Sequence, residues 1–177
     1  RYILGLGGGK RKNNEALIDA FALFLKKTSH SSPLSLLIAG VDDRAKSAFA
    51  QQAHTLGIAS RVRLSGTLPF SYRRSYYAHA ECFVYPSFTE GFGIPPLEAA
   101  ACGTPVIASA AGSILEVMGS AAYLIDPYNL SDIASALHVL LTEDAVRSRY
   151  RERARQRASA FSWQECARQT LRVLETV

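Results

Sequence analysis

Tyr85-Pro86-Ser87-Phe88-Thr89-Glu90-Gly91-Phe92-Gly93-Ile94-Pro95-Pro96-Leu97-Glu98-Ala99-Ala100-Ala101-Cys102-Gly103-Thr104-Pro105-Val106-Ile107-Ala108-Ser109 reads as strand, loop, helix and strand in unbroken succession. An apolar strand from Cys82 to Tyr85 stops at Pro86. The polar loop that follows carries Glu90, and Gly91 and Gly93 let the backbone approach a neighbour closely. Pro95 suits the first turn of a helix running to Ala101, because a proline there gives up an N–H that has no helical partner. Pro105 to Ala108 is then a short buried strand. Two apolar strands joined by a helix predict parallel pairing.

The same alternation extends in both directions. Upstream, strands are predicted at Tyr2 to Leu6, Leu34 to Ala39 and Val62 to Ser65. Helices are predicted near Asn14 to Lys27, from an Asp42 or Asp43 cap to about Leu56, and over about Ser71 to His79. Downstream come a helical turn at Ile114 to Val117, a strand at Ala121 to Ile125, and helices near Leu130 to Leu141 and Ala145 to Ser159. Ser162-Trp163-Gln164-Glu165 is a capping-box signature that opens a last helix, with Phe161 and Cys166 placed for a hydrophobic staple. The expectation is one α/β domain, a Rossmann-like three-layer α/β/α sandwich around a parallel sheet of about six strands.

Composition narrows the function classes. The 177 residues are 48% hydrophobic and 20% charged, an ordinary balance for a globular domain, and no apolar run is long enough to span a membrane. The chain begins Arg1-Tyr2 without an initiator Met or a charged leader, so a fragment or processed product, and no signal peptide, is expected. Cys82, Cys102 and Cys166 form no motif and read as buried free thiols of a reducing cytoplasm. His30, His54, His79 and His138 lack metal-ligand spacing. A net charge of +5 favours anionic partners. Arg147, Arg149, Arg151, Arg153, Arg155 and Arg157 read as a solvated helix, with peripheral contact to an anionic membrane as the sharper alternative. No base-stacking aromatics interleave with them, which argues against nucleic acid.

Two segments have the means to meet an anion. Gly5-Leu6-Gly7-Gly8-Gly9-Lys10 fails the dinucleotide fingerprint at Lys10 and also fails the phosphate-loop spacing. It is a glycine turn at a strand's carboxyl end, with Lys10, Arg11 and Lys12 beside it; anion capture and a plain tight turn fit it equally. In the second segment the amides of Gly91 to Ile94 and of Leu97 face the start of a helix, a natural phosphate site. Carboxylates there repel phosphate, so Glu90 and Glu98 make sense as acceptors of ligand hydroxyl hydrogens. Their bland readings are a solvated loop acid and a favourable charge in the first helical turn.

Glu90-x7-Glu98, with Gly91-Phe92-Gly93 after the first acid and Ala101-Cys102-Gly103-Thr104-Pro105-Val106-Ile107 after the second, resembles the GT-B glycosyltransferases of family 4, and most of all their mannosyltransferase-like members. Tyr2 to Phe21, Leu36 to Gly40, Val62 to Gly66, Ala122 to Pro127 and Phe161-Ser162-Trp163 extend the resemblance over essentially the whole chain. It implies the C-terminal, donor-binding domain of a retaining hexosyltransferase, with the acceptor held by a separate N-terminal domain absent from this sequence. The donor implied is a nucleotide sugar such as GDP-mannose or a UDP-sugar, used without metal or other cofactor. The resemblance assigns Glu98 to the ribose hydroxyls and Glu90 to the transferred sugar. It lays the amides of Phe92, Gly93 and Ile94 against sugar and diphosphate, and gives Lys12 the leaving diphosphate. Where many members carry an arginine this chain has Gly8, so Arg11 or Lys10 is expected to substitute. The isolated domain is expected to bind a nucleoside diphosphate and transfer nothing. A non-catalytic nucleotide-sugar module, a nicotinamide oxidoreductase and a sugar epimerase are the rival readings.

Overall fold

The computed structural model describes residues 1–28 and 34–176. Its strands are β1 (Tyr2–Leu6), β2 (Ser35–Ala39), β3 (Val62–Leu64), β4 (Cys82–Tyr85), β5 (Val106–Ser109) and β6 (Ala122–Ile125). The helices are α1 (Asn14–Lys27), α2 (Asp43–Thr55), α3 (Phe70–Ala78), α4 (Ile94–Ala101), α5 (Ile114–Met118), α6 (Leu130–Thr142), α7 (Asp144–Ala158) and α8 (Trp163–Leu174).

All pairings are parallel, in the order β3-β2-β1-β4-β5-β6. Alternate residues of each strand enter opposite layers. Ile3, Leu36, Ile38, Val84 and Ile107 pack beneath α1, α2 and α6. Leu4, Phe83, Tyr85, Val106 and Ala108 pack beneath α3, α4, α5 and α7. The sheet is therefore covered on both faces, as its run of apolar strands requires. Winding proceeds one way from β1 and the other way from β4, so the neighbouring pair β1 and β4 marks the topological switch point. The loops leaving their carboxyl ends flank the crevice where open α/β sheets bind ligands.

Local chemistry sets most element ends. Asp42 caps α2, accepting from the Ala45 amide at 2.7 Å, and Ser162 caps α8, accepting from Glu165 at 3.0 Å. Helix α4 starts at Ile94 rather than Pro95, because Gly93 caps it in the left-handed region at φ 91°. A Cβ on Gly93 would sit 2.4 Å from Ile114 Cδ1, so only glycine both turns the chain and admits α5.

Three expectations need correction. The staple does not form as read: Cys166 is exposed, and Phe161 instead meets the Phe92 ring edge-on at 6.0 Å, with Arg157 over its face at 4.9 Å. The thiols are not uniformly buried, since only Cys82 is enclosed while Cys102 is half-buried. Nor is α7 simply solvated. Ala154 and Ala158 bury one side, and Arg157 donates to the carbonyls of Val117 and Glu116, both at 2.7 Å. Arg155 lies over Gly103, where a side chain would strike its guanidinium. Helix α8 is amphipathic, yet none of its residues is buried.

Candidate functional site

The β1 loop is held down before it reaches the crevice. Gly7, at φ 86°, donates its N–H to Ala39 at 2.8 Å. Gly8 presses against α2, where a Cβ would come within 2.8 Å of the Ala45 Cβ. The arginine that the resemblance places at this position therefore has no room unless α2 shifts. Lys10–Lys12 forms one 3-10 turn and ends on Asn13, at φ 54° the only non-glycine residue with positive φ among those described. Asn13 is buried, and its amide donates to Pro127 O at 2.8 Å and Pro86 O at 3.2 Å. One side chain thus ties the β1 loop to the loops after β4 and β6. Asn14 donates to the carbonyls of Leu6 and Gly7.

The turn delivers two cations to Glu90. Lys12 Nζ lies 2.9 Å from Glu90 Oε1, and Arg11 Nη1 lies 3.1 Å from Oε2. Arg11 also reaches Thr89 O at 3.3 Å. Lys12 donates to the Tyr85 hydroxyl and sits over that ring, 4.6 Å from its centre. The Glu90 side chain is only 8% exposed. Burial pushes its pKa up, but hydrogen bonds from Lys12 and Tyr85 together with the Lys12 charge outweigh it, and the carboxyl stays below its ordinary value. Burial, and then the Glu90 charge, raises the Tyr85 phenol, which remains a neutral hydroxyl. From the other side, Ser113 donates its hydroxyl to Glu90 O at 2.9 Å. Gly112, at φ 56°, lies so close that a Cβ would be 2.9 Å from the same oxygen. Two cations face one carboxylate, so the cluster carries a net positive charge toward the crevice.

Glu98 is built differently. It is the fifth residue of α4, past the first turn, so the dipole reading of that acid does not hold. Tyr77 of α3 donates to Oε2 at 2.9 Å, and Arg73 stands 3.9 Å from Oε1. Burial, and next the Glu98 charge, raises the Tyr77 phenol, keeping it a donor. Thr104 in turn donates to Tyr77 O at 2.7 Å. Glu90 and Glu98 thus stand on the same β4–α4 segment without sharing a partner.

Among the remaining predicted residues, Gly91, Phe92 and Ile94 are exposed, whereas Leu97 is half-buried against the second core. Lys10 is exposed and makes no contact with Glu90; Arg11 does. No three His, Cys, Asp or Glu side chains gather as metal ligands among the described residues. His54, His79 and His138 lie apart on separate helices or their ends, and His30 falls outside the described residues. Tyr77, Arg73, Gly112 and Ser113 escaped the sequence reading. Asn13 stands at the expected helix start, and Tyr85 to Ser87 in a stretch expected to offer main-chain contacts to a nucleobase; the pattern shows neither the Asn13 tether nor the link of Tyr85 to Lys12.

A three-layer parallel sheet with a cationic cluster at its switch point defines a Rossmann-like domain of the kind that forms one half of a GT-B fold. The chain belongs to the group 1 glycosyl transferases, whose family pattern matches residues 8–157. It is 35% identical to the O-antigen chain mannosyltransferase B of Escherichia coli over 162 residues, which is 91% of this chain and 42% of that protein. It superposes on a sucrose-phosphate synthase from Thermosynechococcus elongatus with TM-score 0.87 and 28% identity, covering 99% of this chain and 45% of that one. An Anabaena protein, Alr3699/HepE, solved with UDP and glucose, shares the fold at TM-score 0.86 and 22% identity, over 99% of this chain and 48% of that one. The chain spans less than half the length of these relatives. No helix among the described residues is long and apolar enough to cross a membrane.

Proposed function

We propose that this chain is the donor-binding domain of a retaining glycosyltransferase that moves a hexose from a nucleotide diphosphate sugar to an acceptor hydroxyl. The observation that carries the reading is the meeting of Lys12 and Arg11 from the β1 loop with Glu90 from the β4 loop, across the switch point. The hard step of such a transfer is departure of the diphosphate as positive charge grows on the sugar ring. Fixed cations beside the leaving oxygens lower that barrier, and in a site of low dielectric they act strongly. Lys12 and Arg11 take that role, without a metal. Arg11 stands in for the arginine that Gly8 displaces. Glu90 holds both cations in place and accepts hydroxyl hydrogens from the sugar, while Glu98, oriented by Tyr77, accepts from the ribose.

The name of the mannosyltransferase relative supports mannose as the hexose and a polysaccharide as the product; with a glycolipid as the other product class, GDP-mannose or a UDP-sugar is the donor of this proposal. A separate acceptor domain completes the enzyme at the cytoplasmic side of the membrane, where the exposed Arg149, Arg151 and Arg153 of α7 suit peripheral contact with anionic lipid. The isolated domain binds donor nucleotide and transfers no sugar. Calorimetric titration with GDP, UDP and ADP tests the reading: one of the three binds, and Glu98→Gln weakens it. Absence of binding to all three, with the fold intact, would refute it. A non-catalytic nucleotide-sugar module would use the same pocket, and sugar transfer by the intact two-domain protein excludes it.

A further inference from the structure

Beside the cationic cluster, on the same two loops that Asn13 ties together, two aromatic rings stack without a core to explain them. Phe88 follows β4 and Tyr128 follows β6; their ring centres are 4.9 Å apart with an interplanar angle of 25°. Tyr128 is 79% exposed. One face of its ring covers Phe88 and the other is open to solvent. The backbone beneath is fastened at each point. Phe88 N–H donates to Arg11 O at 3.0 Å, Tyr128 N–H donates to Asp126 Oδ1 at 2.9 Å, and the Asp126 amide donates to Asp132 Oδ2 at 2.8 Å. Asn13 clamps Pro86, two residues before Phe88, and Pro127, directly before Tyr128. Residue 88 lies two positions from Glu90 on the same loop.

A large exposed ring costs free energy in water, because its apolar face stays hydrated. Holding it rigid removes the entropy that a binding partner would otherwise have to overcome. A flat, exposed aromatic face held beside the Glu90 loop matches the pyranose ring. Such a sugar offers a C–H face to stack on an aromatic ring.

We infer that the Phe88–Tyr128 stack is a carbohydrate platform that seats a pyranose unit of the acceptor chain alongside the Glu90 cluster. The inference rests on the transferase reading for the identity of the sugar as acceptor, but the platform itself is tested independently of nucleotide. Saturation-transfer NMR is run on the chain with linear oligosaccharides of mannose, glucose and galactose, each four units long, in parallel with nucleoside diphosphate titration. The expected result is saturation transfer to at least one of the three, a loss of affinity of about fivefold or more in Tyr128→Ala, and a similar loss in Phe88→Ala. Nucleotide affinity stays within about twofold of the parent in Tyr128→Ala. If none of the oligosaccharides receives saturation, or if Tyr128→Ala binds as the parent does, the platform is refuted. Nucleotide binding without sugar binding sinks the platform alone; sugar binding without nucleotide binding sinks the donor reading alone.

Discussion

Removing Lys12 tests the central cluster most directly, because geometry and exposure assign different weights to its two cations. The Glu90 side chain is 8% exposed, Lys12 is 21% exposed and Arg11 is 52% exposed. A hydrogen bond to a charged, largely enclosed group contributes about 1.5–3 kcal/mol, whereas a half-exposed ion pair contributes about 0–1 kcal/mol. A double-mutant cycle of Lys12→Met with Glu90→Gln is therefore expected to give a coupling of about 2 kcal/mol near neutral pH. The corresponding cycle of Arg11→Met with Glu90→Gln is expected to give less than about 1 kcal/mol. For a domain of this size the Lys12→Met loss lowers the Tm by about 4–8 °C. The pH dependence has a fixed sign. The folded pKa of Glu90 lies below its unfolded value, so its contribution is complete above the ordinary carboxylate range near ~4.3 and disappears as pH falls through the depressed folded value. Urea denaturation of the parent and the five variants at about pH 7 and again in acid measures both effects. Additivity at neutral pH within about 0.5 kcal/mol, or a coupling that survives full protonation, would refute the cluster as the holder of these loops.

Three further outcomes are expected. Glu98→Gln keeps an oxygen for the Tyr77 hydroxyl and should leave the Tm nearly unchanged, while nucleoside diphosphate affinity falls about tenfold for the lost charge-assisted bonds; calorimetry beside a thermal melt separates the two. Gly112→Ala puts a Cβ against the Glu90 backbone at positive φ and should cost about 1–2 kcal/mol, with weaker nucleotide binding because the Glu90 loop is displaced; urea denaturation and titration read each effect. Cys82, buried and with its thiol pushed up to about 12 by burial, should resist alkylation in the native chain, while exposed Cys166 reacts; mass spectrometry after timed iodoacetamide treatment, with Cys82 labelled only in denaturant, checks this.

The fold was legible because it is written in short-range patterns. Strand-length apolar runs closed by Gly40, Gly66 and Pro86 mark turns of the alternation, and Asp42 and Ser162 announce their helices. The cations and acids of the site were legible too, as residue types near loops. What the sequence did not disclose was pairing. Glu90 was read as a lone hydroxyl acceptor, yet it neutralises part of the charge of Lys12 and Arg11, residues 78 and 79 positions away. Tyr77 carries the periodicity of a core residue and fills the core, so its hydroxyl on Glu98 leaves no trace in the pattern. The same holds for α8. Its capping box correctly announces a helix, but a cap says nothing of whether a core lies opposite, and here Trp163, Leu171 and Leu174 remain exposed.

The clustering also explains why an acid belongs beside a diphosphate site. Lys12 and Arg11 without Glu90 would repel each other across a turn of adjacent residues, and two long side chains with open rotamers would have to be ordered by the ligand at its own expense. Glu90 orders them beforehand, from a loop whose backbone the Gly112–Ser113 segment already holds. The arrangement retains one net positive charge, and the departing diphosphate gains its stabilisation without reorganising the site. Glu90→Gln should then weaken nucleoside diphosphate binding less than Lys12→Met does, because the one amide oxygen still accepts from one of the two cations. Glu90→Ala should weaken it more than Glu90→Gln, because it frees them. Equal nucleotide affinities for Glu90→Gln and Glu90→Ala, measured by the same titration, would show that pre-ordering by residue 90 has no part in binding.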